Sequence, residues 1–98
     1  MRTLEEIKAK LEAIKPTLKK RFKVETIDIF GSYARNQANE KSDIDLLVTY
    51  SSTDYDYFTI ISLKNYLRRK LRLKVDIVSK EFLNRHIKDE VLKEAISV

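Results

Sequence analysis

The only glycine in this chain of 98 residues begins the dipeptide Gly31-Ser32. Ten residues separate that serine from Asp43, and a second aspartate, Asp45, comes two positions later. The flanking runs, 24–30 and 44–48, are rich in β-branched and apolar residues, which predicts a strand on each side. The sequence therefore places a turn-forming glycine at the end of one strand and two aspartates at the start of the next.

Both residues of the Gly31-Ser32 turn suit a phosphate group. A glycine has no Cβ, so its backbone can turn sharply and come close to a ligand. If residues 33–38 start a short helix, the amides around Ser32 form an anion site at the N-terminus of that helix. The serine hydroxyl adds one more donor. This turn is therefore predicted to hold phosphate.

The aspartates that follow the turn suit a divalent cation. Because Asp43 and Asp45 are two positions apart on a strand, both carboxylates are expected to project from one face. Mg²⁺ usually takes one or two carboxylates and leaves its other positions to water and substrate phosphates. A further acid, Asp76, lies in a later predicted strand, 74–79. A phosphate-binding turn beside such a cluster indicates a nucleotide-handling site.

These residues resemble the signature of a known family. Gly31-Ser32 followed by Asp43-Ile44-Asp45 is similar to the signature of the DNA polymerase β-like nucleotidyltransferases. The fuller strings, 30–35 and 42–46, resemble the minimal nucleotidyltransferases, the MNT or MntA group, whose members are encoded beside HEPN-domain toxins and act as their antitoxins. The resemblance extends over most of the chain. It departs at Asn36, where the family usually has glycine; since asparagine tolerates left-handed backbone angles, we expect the turn to be retained.

The resemblance implies a fold, an activity and a set of site residues. The fold is the nucleotidyltransferase fold, of the α/β or α+β class, with a small mixed sheet covered by helices. The activity is Mg²⁺-dependent transfer of AMP from ATP to a hydroxyl, with a tyrosine of a partner HEPN toxin as the expected acceptor. The implied catalytic residues, which would also hold a pair of Mg²⁺ ions, are Asp43, Asp45 and Asp76. The implied nucleotide-binding residues are Gly31, Ser32 and Arg35.

Several alternatives stay open at this point. Asp76 could be an ordinary solvent-facing residue of its strand, and Arg35 could form a structural salt bridge instead of contacting phosphate. For the whole chain, one alternative is an antitoxin that is catalytically silent and inhibits its toxin by contact alone. Another is nucleotidyl transfer to a small molecule. Homo-oligomers and hetero-oligomers are both compatible with the sequence.

Composition narrows the classes of function further. Lysine and arginine number 20 against 15 acids, a net charge of +5 that fits an anionic substrate, an acidic partner or an ordinary surface bias, with direct nucleic-acid binding less favoured. The absence of cysteine and the single histidine exclude disulfides and a zinc site, and one glycine excludes a Walker loop. The length predicts one domain, 1–98. Without a membrane-length apolar run or a signal peptide, we expect a cytoplasmic protein with no membrane partner.

Helical periodicity predicts an N-terminal helix capped by Thr3. Its apolar stripe consists of Leu4, Ile7, Leu11, Ile14 and Leu18. Pro16 lacks a backbone donor, so we expect it to kink or restart this helix. A long middle helix is predicted from about Thr53 to Leu71, after a polar turn. Its inward-facing residues are predicted to be Tyr57, Ile60, Leu63, Leu67 and Leu71, with Tyr55 and Phe58 partly outside that face.

The C-terminal third begins with a basic cluster at the end of the middle helix: Arg68, Arg69, Lys70, Arg72 and Lys74. These cations complement the helix dipole, and binding of a partner or of nucleotide phosphates is the alternative. Ser79 is the predicted N-cap of a last helical segment, 80–95. Its buried candidates are Phe82, Ile87, Val91, Leu92 and Ala95. Residues 96–98 could add an edge strand.

Overall fold

The computed structural model describes residues 3–39, 41–52 and 55–98. Within them, the helices are α1 (Leu4–Phe22), α2 (Tyr57–Leu71) and α3 (Arg85–Glu94), with a 3₁₀ helix over Lys80–Phe82. The strands are β1 (Val24–Phe30), β2 (Ile44–Tyr50), β3 (Val75–Ser79) and β4 (Ile96–Ser97). Three helices with a mixed sheet form the expected α+β fold. No helix in this part of the chain is long and apolar enough to cross a membrane.

The sheet has the strand order β3-β2-β1-β4. Strand β1 is antiparallel to both β2 and β4, whereas β2 and β3 are parallel. Parallel neighbours need a crossover connection, and α2 supplies it. The short β4 confirms the edge strand expected near the C-terminus. This topology brings the end of β1 and the starts of β2 and β3 to the same end of the sheet.

One apolar core joins the sheet to α1 and α2. The helices contribute fully buried residues at helical spacing: Ile7, Leu11, Leu18, Leu63, Leu67 and Leu71. The strands contribute alternating buried residues, which include Ile27, Ile29, Ile44, Leu46 and Val48. The ring of Phe22, the last residue of α1, meets the ring of Tyr66 in α2 at a centroid distance of 5.3 Å and joins the two helices. The sheet that carries the candidate site therefore rests on a helical layer.

Helix α1 confirms one expectation and corrects another. The Thr3 side chain accepts a hydrogen bond from the backbone N–H of Glu6 at 3.1 Å, as an N-cap does. Pro16 lies inside the helix, which continues to Phe22 without a restart. A proline removes only one backbone donor, and the buried stripe continues past Pro16 to Leu18, so packing holds the helix together.

Helix α2 starts later than the sequence suggested. Its N-cap is Asp56, whose side chain accepts a hydrogen bond from the backbone N–H of Thr59 at 2.9 Å. The expected start at Thr53 lies outside the described residues, as does Asp54. The expectation that Tyr57 faces inward is wrong, since this side chain is 72% exposed in the first turn.

The last predicted helix is in fact two segments. The 3₁₀ helix ends at Phe82, and Asn84 caps α3 by accepting a hydrogen bond from the backbone N–H of His86. Ser79 precedes the 3₁₀ helix but makes no side-chain cap bond. The expectation that Phe82 and Ile87 are buried is wrong, since both are exposed. Helix α3 contributes no fully buried side chain, although three of the five candidates are half-buried: Val91, Leu92 and Ala95.

Candidate active site

The signature residues gather at the end of the sheet where β1 stops and β2 and β3 start. Gly31 follows the last residue of β1, Asp43 directly precedes β2, and Asp45 is the second residue of β2. Asp76 is the second residue of β3 and stands directly opposite Asp45 in the parallel ladder. The last residue of β1, Phe30, pairs with Asp45 from the other side. Asp45 is therefore flanked by the glycine turn on one strand and by Asp76 on the other.

Gly31 and Asp45 are in direct contact. The backbone of Gly31 has φ +74°, a left-handed angle that side chains disfavour. An added Cβ would lie 2.2 Å from Oδ2 of Asp45, far inside van der Waals contact. The glycine is thus required twice, once for its backbone angle and once because the carboxylate of Asp45 lies against it.

The loop after Gly31 is a series of turns. Its backbone bonds run from the Arg35 N–H to the Gly31 carbonyl at 3.1 Å and from the Gln37 N–H to the Ser32 carbonyl at 2.8 Å. The short helix expected over 33–38 does not form, because Asn36 takes a left-handed backbone (φ 58°) that breaks a helical path. The expectation that Asn36 preserves the family's turn is confirmed. The donors that this loop offers to an anion are therefore its backbone amides and the Ser32 hydroxyl, with no helix N-terminus behind them.

The three aspartates act on one another electrostatically. The pKa of Asp45 is raised, first by burial and then by the negative charges of Asp76 and Asp43. The guanidinium of Arg35 opposes this rise. A bound cation would relieve the same repulsion. The local electrostatics thus favour either a proton or a metal ion at Asp45.

The carboxylate oxygens suit a hard divalent cation, although they do not form a complete set of protein ligands around one ion. Three carboxylates approach one end of the sheet, and oxygen donors of this kind suit Mg²⁺. Among residues 3–39, 41–52 and 55–98, no three acidic or histidine side chains converge closely enough to hold one ion between them. Such an open arrangement suits an ion that keeps water and substrate phosphates among its ligands.

Asp76 faces an open cleft. Its side chain is 57% exposed, and its Oδ1 lies 3.9 Å from Nζ of Lys64 on α2. The cleft has a volume of about 150 Å³ and is lined by Asp43, Lys64, Arg68, Lys74, Val75 and Asp76. Asp76 is therefore solvent-facing, as one alternative held, and also shares a cleft with Asp43.

Sequence reasoning did not single out Lys64. It lies one position after Leu63, at the start of a stripe with four-residue spacing that continues through Arg68 and Arg72. Residues spaced in this way share one face of a helix. The buried stripe through Leu63 shows that this cationic face lies beside the core-facing side of α2. This four-residue spacing is the sequence signal from which a role for Lys64 could have been predicted.

Arg35 forms the structural salt bridge that was one of its two alternatives. Its Nη1 lies 3.1 Å from Oε2 of Glu94, the last residue of α3, and its Nε donates to Oε1 of Gln37 at 3.2 Å. Both members of the salt bridge are partly exposed. The bridge ties the loop after β1 to α3 and holds a guanidinium near the carboxylates.

Comparison with known proteins gives concordant results. Residues 12–98 match the protein family described as "Polymerase beta, Nucleotidyltransferase". Over 98 residues the chain is 43% identical to the protein adenylyltransferase MntA of Thermococcus cleftensis, covering 100% of this chain and 98% of that relative. A solved minimal nucleotidyltransferase superposes with a TM-score of 0.84 at 36% identity, covering 99% of this chain and 97% of the other. A crystal structure of a toxin–antitoxin with AMP-PNP superposes with a TM-score of 0.72 at 25% identity, covering 88% and 69%.

Proposed function

Because the chain belongs to the polymerase β nucleotidyltransferase family, we propose that it transfers AMP from ATP to a hydroxyl group. We further propose that the acceptor is a tyrosine of a HEPN-domain toxin and that the chain is the matching antitoxin. The observation that carries the proposal is the position of Asp45, between Gly31 and Asp76 at one end of the sheet. A relative named as a protein adenylyltransferase and a similar toxin–antitoxin structure with AMP-PNP support the choice of activity.

The phosphate side of the site is assigned to the loop after β1. Gly31 lets the backbone approach the β- and γ-phosphates, and half-buried Ser32 offers its hydroxyl as a donor. The guanidinium of Arg35 is close enough to Asp45 to oppose the rise in the pKa of that carboxyl group. Its salt bridge to Glu94 would compete with a phosphate contact.

The metal side is assigned to the aspartates. Asp43 and Asp45 would hold Mg²⁺ beside the triphosphate, and Asp76 would contribute to a second metal position. Bound there, Mg²⁺ would neutralise the charge that develops on the phosphate oxygens. This assignment also fits the electrostatics of Asp45, whose pKa is raised by burial and then by the charges of Asp76 and Asp43, because a bound cation would offset all three effects.

The transfer itself exchanges one P–O bond for another. The acceptor oxygen forms a bond to the α-phosphorus while the bond from that phosphorus to the bridging β-oxygen breaks. Pyrophosphate leaves with the electron pair, and the hydroxyl proton passes to water or to the carboxylate of Asp76. Asp76 suits this acceptor-side role because it is more exposed than Asp45 and lies in an open cleft. A side chain of another protein can therefore reach it.

The test is AMP transfer from labelled ATP, in the presence of Mg²⁺, to a HEPN-domain protein. Changing both Asp43→Asn and Asp45→Asn should reduce transfer at least about 10²-fold, since metal-held charge stabilisation is the main catalytic resource. Asp89→Asn, an exposed change on α3, is the matched control and should leave transfer unchanged. Equal transfer by the double variant would refute the enzyme proposal.

The same assay separates the competing functions. Toxin inhibition that survives the double variant, with no AMP transfer by the unsubstituted protein, would indicate a silent binding antitoxin. Transfer to a small hydroxyl compound, with the HEPN protein unlabelled, would indicate a small-molecule enzyme.

A further inference from the structure

A basic groove runs along the edge of the fold where α2 ends and β3 begins. It has a volume of about 540 Å³ and is lined by Asn65, Arg68, Arg69, Arg72, Leu73 and Lys74. The four cationic side chains are exposed, and no salt bridge joins any of them to a residue within 3–39, 41–52 or 55–98. Positive charge is therefore concentrated here, and none of these four side chains lies within salt-bridge distance of a described carboxylate.

The basic groove is continuous with the candidate active site. Arg68 and Lys74 line both the groove and the smaller cleft that contains Asp43 and Asp76. Lys74 precedes Asp76 by two residues, a spacing of about 7 Å along an extended chain. The groove thus opens from the side of the site that we assign to the acceptor.

We propose that the basic groove binds an acidic segment of the acceptor protein, next to the hydroxyl that receives AMP. The inference rests on the proposed function, because that function makes the acceptor a protein. Arginine pairs with carboxylates through two parallel hydrogen bonds, so Arg68, Arg69 and Arg72 are suited to glutamate and aspartate. Because Arg68 and Lys74 line both the groove and the cleft of Asp76, the recognised acids should lie close in sequence to the acceptor tyrosine.

The lining of the groove favours a peptide over RNA. Proteins that bind single-stranded RNA stack bases on exposed aromatic rings, and no aromatic residue lines this groove. The exposed rings of Tyr57 and Phe58 lie in the first turn of α2, at the other end of that helix. Leu73 and the aliphatic stems of the arginines provide the apolar floor that a short peptide needs.

The helix dipole explains only part of this charge. Cations in the last turn of a helix are favourable, which accounts for Arg68, Arg69 and Lys70. Lys74 lies outside α2, yet it joins the groove to the active-site cleft. Lys70, which the dipole favours equally, does not line the groove. The helix dipole therefore does not account for every cation in the groove, and the groove also lies beside the acceptor side of the site.

Binding of labelled peptides, followed by fluorescence anisotropy at about 50 mM salt, tests the inference. One peptide carries a tyrosine flanked by glutamates, and its matched partner has glutamine at each of those positions. The acidic peptide should bind at least about tenfold more tightly. Changing both Arg69→Gln and Arg72→Gln should remove most of that difference, whereas the exposed pair Arg85→Gln and Lys88→Gln should not, although the net charge falls equally.

Three outcomes would overturn the inference. They are equal binding of the two peptides, an equal loss in the control variant, and tighter binding of an oligouridine that depends on Arg69 and Arg72. Arg85 and Lys88 line neither the groove nor the cleft of Asp76, so AMP transfer to either peptide should be the same in that control variant and in the unsubstituted protein. Selective binding of the acidic peptide without any AMP transfer would refute the proposed function and leave the groove standing. AMP transfer without selective binding of the acidic peptide would support the proposed function and refute the groove as its binding site.

Discussion

Oδ2 of Asp45 lies 2.2 Å from the position that a Cβ at Gly31 would take, so the carboxylate leaves no room for a side chain at residue 31. The glycine therefore does more than permit a turn with φ +74°. It allows a metal-binding candidate on β2 to lie directly against the loop that is assigned to the phosphates. The signature therefore needs glycine at residue 31 because the side chain of its second aspartate occupies the space that a Cβ would take.

Gly31→Ala should destabilise the fold and abolish AMP transfer. The left-handed backbone costs an alanine about 1 kcal/mol or more, and the clash with Asp45 adds about 1–3 kcal/mol. Urea unfolding of both proteins measures the change in the free energy of unfolding.

A double-mutant cycle separates the two costs of Gly31→Ala. In an Asp45→Ala background the carboxylate is gone and only the Cβ of residue 45, 3.3 Å away, faces the new methyl group, so the same substitution should cost mainly the backbone term, about 1 kcal/mol. Equal losses in both backgrounds would show that the carboxylate does not determine the need for glycine at residue 31.

The strands and the candidate site were predictable because local signals for them are strong. β-Branched runs identified β1 and β2, and the Gly-Ser and Asp-x-Asp spacing identified where they meet. The structure adds the register that places Asp45 opposite Asp76, and a pairing across 31 sequence positions has no local signal. The proximity of Lys64 to Asp76 depends on the same crossover.

The errors have a common physical origin. Phe82 and Ile87 were expected to be buried because their spacing is helical, but periodicity identifies an apolar face without showing that the fold covers it. In this fold α1 and α2 already fill the core, and both residues remain exposed. The helix expected after Ser32 failed for a local reason, the left-handed backbone of Asn36. Tertiary packing in one case and turn geometry in the other overrode the pattern.

The stability contribution of Asp45 should depend on pH. Its pKa in the folded state is raised above the usual 3.8, so the folded protein binds this proton more readily than the unfolded chain does. The stability gained from protonation is fully present below pH 3.8 and is lost as the pH rises through the raised folded pKa. Asp45→Asn should therefore stabilise the metal-free protein most near neutral pH, with an advantage that shrinks as the solution is acidified.

Urea unfolding in EDTA, at several values between about pH 4 and pH 7, measures this difference. Asp89→Asn, which changes an exposed carboxylate on α3, controls for the general effect of removing one negative charge. A stability difference between Asp45→Asn and the unsubstituted protein that stays constant with pH would contradict the assigned electrostatics.

Asp76→Asn should impair AMP transfer more than it impairs binding of Mg-ATP. Asp76 lies on β3, a different strand from the Asp43–Asp45 segment that we assign to the triphosphate, and it faces an open cleft. Calorimetry with a non-hydrolysable ATP analogue, beside turnover measurements, separates the two effects.

Lys64→Gln is the comparison for this variant. It removes the 3.9 Å ion pair with Asp76 but leaves the carboxylate in place. Exposed pairs of this kind contribute about 0–1 kcal/mol, so stability should hardly change. If Asp76→Asn weakens analogue binding as much as it slows turnover, Asp76 is a ground-state ligand of the nucleotide complex rather than an acceptor-side group.

Mg²⁺ and ATP added together should raise the melting temperature more than either does alone. Burial and then the charges of Asp76 and Asp43 raise the pKa of Asp45, so the folded protein tolerates a repulsion that the bound complex would relieve. Asp45→Asn removes one of these charges at little change in volume. The metal-free variant should therefore be as stable as the unsubstituted protein or slightly more so, and its melting temperature should not respond to Mg-ATP.

Thermal-shift measurements with millimolar Mg-ATP test both proteins, with Asp89→Asn as the variant that keeps the response. If the unsubstituted protein is not stabilised, or Asp45→Asn is stabilised equally, these aspartates do not form a nucleotide–metal site.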